Sequence, residues 1–574
     1  MGVSPVVTRP LTDPPRFGRG RSGSVILIEQ TRPKKRSLNL WKTISKREKL
    51  FAAITLLAVL APSLCALALV DDFHSQDGPA HLYNARILLD SLRADSPFRG
   101  VFEVRWQPLP NWAGHLLAML VLAISPPRIA DAILSAITSL GIAAMFLALK
   151  LRVAKAGLFP AALICGMLSL NVLWLFGFTS FLLGACLFAG TLGFWWKRRN
   201  NITVSQCLFL SLLLILGYFC HPVSLGLTIV GLLILSMTTP APGRVVRRTA
   251  STLASLIPLV PLAVYYRIVM RAGGGIEPVW GHWKRSLSPT SWWSQLGWID
   301  PISLGSKAIA PFVSLPSRWL GIFAPAFWFL AALAIAIGAT LVHRQIRDER
   351  RGWLVLAFFL IVLGIISPDT LGPNHGNYLP QRILWLGLAA LVPWLELDLH
   401  SRSIRLATAL FAIALCLQTA FVWEYAKTSD RLTREFVREV EPWVGKDQKI
   451  GTLLIDIRGR FRSNPLLHAD CLLGLDTGNI VWSDYETVHY YFPVHLLDAN
   501  HSPPADLFEK IAVMDDPADR ARRAQLWGSL LDSQHDQIEV IIVLGDDPAL
   551  IEETTRWYRQ VHRQGRTRVF RLGP

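Results

Sequence analysis

The chain has 574 residues, 52% of them hydrophobic and only 17% charged, where a soluble globular domain carries about a quarter charged residues. Its net charge of +17 does not point to nucleic acid, because the basic residues gather in short clusters beside apolar runs, where membrane anchoring accounts for them. Runs such as Phe51–Val70, Ile129–Leu149, Trp319–Val342 and Ile404–Val422 exclude a wholly soluble protein, each being close to the roughly 20 apolar residues that cross a bilayer as a helix.

The basic tail from Arg9 to Lys49 has no apolar period and reads as a disordered cytoplasmic segment, 1–49. The first apolar run follows it, and Asp71-Asp72 comes next rather than a small-residue cleavage site, so this run stays as an anchor. We expect about eleven transmembrane helices, near 50–70, 128–150, 156–173, 178–196, 203–219, 222–238, 249–270, 318–341, 352–367, 380–397 and 403–423. Basic clusters at Lys34–Arg36, Lys46–Lys49, Lys150–Lys155, Lys197–Arg199, Arg244–Arg248, Arg344–Arg351 and Arg402–Arg405 all fall on the cytoplasmic side under one condition. The apolar stretch Asn111–Ser125, only about fifteen residues long, must then be re-entrant or interfacial; the alternative is a tilted span with Lys150–Lys155 as an exception.

With that parity the outer face carries 71–111, Leu175–Phe181, Cys220–Ser224, 271–318, Ser367–Arg382 and the segment from about Lys427 onward. This last segment, 427–574, reads as a small extracytoplasmic α/β domain after a multi-pass region spanning 50–426. Lys449–Ile455 and Gln537–Leu544 are β-branched runs, Pro548–Gln564 is read as helical with Asp546-Asp547 at its cap, and Arg566–Leu572 is a final strand. It holds no GxGxxG and no P-loop. Six of the seven cysteines lie in or beside apolar spans, so no disulfide framework is implied.

The densest polar cluster is Asp71-Asp72-Phe73-His74-Ser75-Gln76-Asp77-Gly78-Pro79-Ala80-His81. Pro79 marks a helix start near Gly78, which puts Asp77 and His81 one turn apart on one side. His81, Leu82, Ala85, Leu88, Leu89 and Leu92 would give that helix an apolar face. A carboxylate presented there suits acid–base work or metal ligation. The plain alternative is that Asp77 only caps the helix and its neighbours are solvated.

A first transmembrane helix, an acidic outer loop and an interfacial helix resemble the GT-C class of membrane glycosyltransferases. That class includes the oligosaccharyltransferase, protein mannosyltransferase and lipid A aminoarabinose transferase families. Asp77-Gly-Pro-Ala-His81 is similar to the acidic motif of their first outer loop, in which Asp is followed four residues later by His or Asn. The resemblance implies a polytopic α-helical membrane protein that transfers a sugar from a polyprenyl-phosphate donor to an acceptor at the extracytoplasmic face. Asp77 would be base or metal ligand, supported by Asp72 and His81, with a divalent cation such as Mg or Mn as the cofactor to look for.

Other outer-face residues fit that scheme as substrate-binding candidates. Arg382 begins a span, where a guanidinium can hold a lipid phosphate bidentately or simply snorkel to headgroups. His375 lies just before it, in Asn374-His375-Gly376-Asn377. His221, between two spans, reads first as a buried hydrogen-bonded histidine. Trp280 and Trp283, in a tryptophan-rich loop, can stack on sugar rings or sit at the membrane interface. The implied partners are a polyprenyl-phosphate-linked sugar, an acceptor, and the lipid of an inner (plasma) membrane, with the N-terminus cytoplasmic. A transporter or flippase is the competing class, but the spans show few midplane acids and no internal repeat. A non-catalytic membrane scaffold is the third.

Overall fold

Seven helices lie between residues 46 and 198, and the second is buried along most of its length. The computed structural model describes residues 46–154, 157–240, 243–272, 283–284, 287, 324–343, 349–370, 377–455, 457, 461–498, 501–514 and 519–573. The first helices are α1 (Lys46–Ala68), α2 (Gly78–Asp90), α3 (Trp112–Ile124), α4 (Pro127–Val153), α5 (Leu158–Ser169), the single turn α6 (Val172–Leu175) and α7 (Thr179–Arg198), with a short strand β1 (Phe102–Val104) between α2 and α3. Then come α8 (Val204–Cys220), α9 (Pro222–Thr238), α10 (Val245–Leu256), α11 (Val260–Ala272), α12 (Pro325–His343), α13 (Arg351–Ile366), α14 (Leu379–Leu391) and α15 (Arg402–Thr433).

Among the described residues six helical stretches are long and apolar enough to cross a membrane: α1, α4, α7, the continuous pair α10–α11, α12 and α15. Six shorter apolar helices, α3, α5, α8, α9, α13 and α14, accompany them. The 13 residues of α3 make a rod of about 20 Å, well short of a hydrocarbon core of about 30 Å.

Helix α15 continues through a π-helical turn, Arg434–Arg438, into α16 (Glu439–Val444). A five-stranded mixed sheet follows, built from β2 (Lys449–Leu454), β3 (Ile480–Val481), β5 (Val540–Leu544), β6 (Tyr558–Gln564) and β7 (Thr567–Leu572), in the order β3-β2-β5-β7-β6. β2 runs parallel to β3 and β5, and β7 runs antiparallel to β5 and β6. Helices α17 (Ala505–Val513), α18 (Arg520–Gln534) and α19 (Pro548–Thr555) pack with the sheet. Asp547 caps α19 as expected, accepting from the amides of Ala549 and Leu550.

One expectation fails here: Pro548–Gln564 is not one helix. It stops at Thr555, and Tyr558–Gln564 is the edge strand β6, joined to β7 through Gly565 at φ +55°. β6 is solvated on much of its surface, so its polar residues carry no apolar alternation to betray a strand.

A second difference concerns α2. Leu82, Ala85 and Leu88 are buried as expected, but Leu92 lies past the helix end and is exposed. Tyr83, Asn84 and Ile87, on the other side, are buried as well. The C-terminal part covers that side. A single apolar cluster runs from Leu82, Leu88 and Trp112 into Leu453, Val481, Ile541 and Phe570 of the sheet. Each large apolar side chain so buried contributes about 1.5–3 kcal/mol, so the junction is a core and not a loose docking face. The Tyr83 hydroxyl donates to the Asn479 carbonyl at 2.9 Å and accepts from the Val481 amide at 3.1 Å. A Cβ at Gly474 would come 2.3 Å from the Tyr83 ring, which explains a glycine there. An antiparallel ladder of β1 with β4 (Val494–Leu496) adds a second tie.

Candidate active site

The first loop after α1 is fixed by the backbone. The Gln76 and Asp77 amides donate to the carbonyls of Leu175 and Phe176, both at 3.0 Å. Pro79 starts α2 with its φ already set for a helix. Asp77 occupies the cap position, yet its side chain makes no capping hydrogen bond, so the capping reading is replaced. The carboxylate turns instead into a cavity of about 1120 Å³ that lies between the membrane helices and the C-terminal part.

Three groups meet Asp77 there. Gln76 Nε2 donates to Oδ1 at 3.2 Å, the Tyr485 hydroxyl donates to Oδ2 at 3.4 Å, and His468 Nε2 stands 3.8 Å from Oδ1. Burial raises the Asp77 carboxyl to about 6, although the charge of His81 pulls the other way. Burial, reinforced by His81, holds the His468 ring down at about 3, so His468 is a neutral imidazole. A carboxylate that titrates near neutrality beside a neutral histidine is equipped to take a proton.

His81, one turn along α2, lines the same cavity, as the spacing predicted. Its Nδ1 bonds Oε1 of Glu486, and the other carboxylate oxygen of Glu486 meets Nε2 of His115 at 2.7 Å. Burial works against a charged His81 ring, but the Glu486 carboxylate outweighs it and lifts His81 to about 9. Glu486 is pulled below the usual carboxylate range by His115 and His81 in spite of its own burial.

Arg382 begins α14 and also reaches the cavity. Its guanidinium stacks over Phe178 at 4.5 Å and Phe181 at 5.3 Å, and Nη1 contacts His221 Nε2 at 2.7 Å. Among the described residues no carboxylate pairs with it, and its Nε has no hydrogen-bond partner. A buried guanidinium held by aromatic faces and a histidine keeps donors with which it can meet an anion. His221, half-buried, packs edge-on against Phe181 and is part of the cavity wall. Asn111 and Tyr378, two of the three non-glycine residues with positive φ among the described residues (70° and 58°), also line this cavity. Such strain persists where the surrounding structure over-determines it.

Asp72 is the exception among the expected catalytic residues. It lies outside the cavity lining and is bound by Arg438 at 2.7 Å and Arg128 at 3.3 Å. Burial opposes ionisation, but these two arginines outweigh it and lower the Asp72 carboxyl. It ties the first loop to the π-helical turn after α15 and to the start of α4. Trp283 is described, partly exposed, and absent from the cavity wall. Trp280, His375 and most of 271–318 lie outside the described residues.

No known family profile matches the chain, and no curated protein does. Solved structures do. The chain superposes on ArnT from Cupriavidus metallidurans bound to undecaprenyl phosphate with a TM-score of 0.50 at 12% identity, over 92% of this chain and 99% of that one. The chain shares the fold of that structure. Two structures of the arabinofuranosyltransferase AftD from Mycobacteria, both of the mutant R1389S, are also similar. They share 16% and 15% identity, each over 93% of this chain and 42% of theirs, with TM-scores of 0.45 and 0.43.

On this scaffold His115, His468, Tyr485 and Glu486 are the residues that motif reading overlooked. His115 is a single polar residue inside an apolar stretch. Tyr485 and Glu486 belong to Ser483-Asp-Tyr-Glu-Thr-Val-His-Tyr-Tyr-Phe492, whose density of acids, histidines and tyrosines was the available signal. A metal expected at Asp77 finds one other ring nearby, His468. Among the described residues the donor atoms that converge are those of His81, His115 and Glu486.

Proposed function

We propose that the protein transfers a sugar from a polyprenyl-phosphate donor to an acceptor hydroxyl at the extracytoplasmic face of a plasma membrane. The observation that carries this reading is the placement of Asp77 and Arg382 on the wall of one cavity, a proton acceptor and an unpaired cation. The likeness to a protein solved with undecaprenyl phosphate bound supports the donor class. The cytoplasmic bias of the basic loops supports the face.

In this scheme the donor phosphate lies against Arg382, whose Nε and Nη groups donate to its oxygens. Ionised Asp77 takes the proton from the acceptor hydroxyl as that oxygen bonds to the anomeric carbon. The bond from that carbon to the phosphate oxygen breaks, and the lipid phosphate leaves with the electron pair, its charge met by Arg382. Tyr485 holds the Asp77 carboxylate in line. Phe178, Tyr378 and Tyr491 on the cavity wall offer flat faces for the sugar or the first isoprene units.

The test is label transfer by the purified protein from a panel of polyprenyl-phosphate sugars, with Asp77→Ala in parallel. Transfer that the variant loses establishes the reading. If wild type transfers nothing while both proteins are folded and both complement a deletion strain, the reading is wrong and transport or scaffolding takes its place.

A further inference from the structure

Glu486 is fully buried, and among the described residues no lysine or arginine pairs with it. The same holds for its neighbour Asp484, whose two oxygens accept from Asn84 Nδ2 at 3.0 and 2.9 Å. The groups that meet Glu486 are the two imidazoles of His81 and His115, so two ring nitrogens and a carboxylate, all good donors to a metal ion, face one another in a buried place.

The donor atoms for one are in place. His81 Nδ1, His115 Nε2 and a Glu486 oxygen lie within 4.8 Å of one another. They come from α2, α3 and the turn Tyr485–Val488, three segments that only the finished fold brings together. Their supports have the form that metal ligands require. His115 Nδ1 faces the Asn111 carbonyl at 3.3 Å, which fixes the tautomer that leaves Nε2 as the ligand. Asp484 accepts from the Glu486 amide at 3.3 Å and so holds the turn. Phe492 packs against both rings, with centroids at 6.2 and 5.6 Å. The His81 side chain, 14% exposed, borders the cavity.

We propose that His81, His115 and Glu486 bind a single divalent cation of the zinc class, pinning α2 and α3 to the C-terminal turn. Two imidazoles and one carboxylate suit zinc and the late first-row metals, whereas magnesium favours oxygen donors and retains its waters. Binding displaces the protons now shared between Glu486 and the two rings. The site is separate from Asp77 and stands whether or not the protein transfers sugar.

The experiment uses untagged full-length protein in detergent, stripped with a chelator, equilibrated with equal zinc, manganese and magnesium, desalted and analysed by mass spectrometry for metals. Wild type and Asp77→Asn should retain about one zinc per chain, and His115→Ala/Glu486→Gln less than about one tenth of that. X-ray absorption on zinc-loaded wild type should show nitrogen and oxygen neighbours with the scattering of two imidazoles, a readout independent of whether the variant folds. Wild type that retains no zinc, a variant that retains as much as wild type, or a zinc shell without two imidazoles would each overturn the site.

Discussion

The hydroxyl of Tyr485, in the last third of the chain, points at the Oδ2 oxygen of Asp77 from 3.4 Å. The acid that follows the first membrane helix is therefore oriented by a residue of the C-terminal part. Tyr485→Phe should keep the fold and the affinity for donor but lower kcat by about tenfold, about 1.4 kcal/mol, the low end for a hydrogen bond to a charged carboxylate. A variant whose kcat/KM falls only through KM would contradict this role.

Asp77→Asn should separate stability from activity. A carboxyl raised from 3.8 to about 6 by burial favours the fold while protonated. That contribution is complete below the ordinary value and disappears as pH rises through about 6. At pH 7 the ionised group costs up to about 3 kcal/mol, two pKa steps of about 1.4 each. The asparagine variant should melt higher than wild type at pH 7, match it at pH 4, and lose transfer by about 10²–10⁴. Thermal scans at the two pH values check the first part.

The rate itself should follow the same group. With Asp77 as base, kcat/KM should rise as pH increases through about 6 and level off above it. A flat profile between pH 5 and 8 in saturating buffer would remove Asp77 from the base role.

Arg382→Lys should fail almost as badly as Arg382→Ala. The guanidinium plane rests on Phe178 and Phe181, and an ammonium reproduces neither the stacking nor a two-pronged grip on phosphate. We expect a loss of about 10²–10³ in kcat/KM for both variants, with donor binding measured directly by displacement of a fluorescent polyprenyl phosphate. Rescue by lysine would show that only net charge matters.

Asp72→Asn should behave differently from every cavity variant. The Asp72 carboxyl is lowered by Arg438 and Arg128 in spite of burial, so its contribution is present above the ordinary carboxylate value and fades as pH falls through the lowered one. Both arginines are partly exposed, which limits the loss to about 1–2 kcal/mol. The melting midpoint should drop at pH 7, with kcat of the folded protein within about threefold of wild type.

The membrane character was legible because apolar runs of bilayer length leave few alternatives, and Asp77 with His81 was legible because Pro79 marks a helix start. Arg382 stood out as a charge at the head of an apolar run. Glu486 and His115 did not. Their chemistry exists only once segments about 370–400 residues apart meet, and no local period encodes that meeting. Asp72 misled for the opposite reason: an acid beside the motif looks catalytic until the arginines that neutralise it, Arg128 and Arg438, are seen in space. The edge strand β6 was hidden by its solvated, polar sequence.

The β1–β4 ladder has a consequence for how the molecule is made. Phe102–Val104 is synthesised early, yet its partner Val494–Leu496 emerges only after nearly four hundred further residues. Throughout that interval α2 and its acidic loop wait without the cover that finally buries Tyr83, Asn84 and Ile87. The helices can insert one by one during translation, but the site closes last, so a ribosome-stalled or prematurely terminated chain would span the bilayer and still be inert.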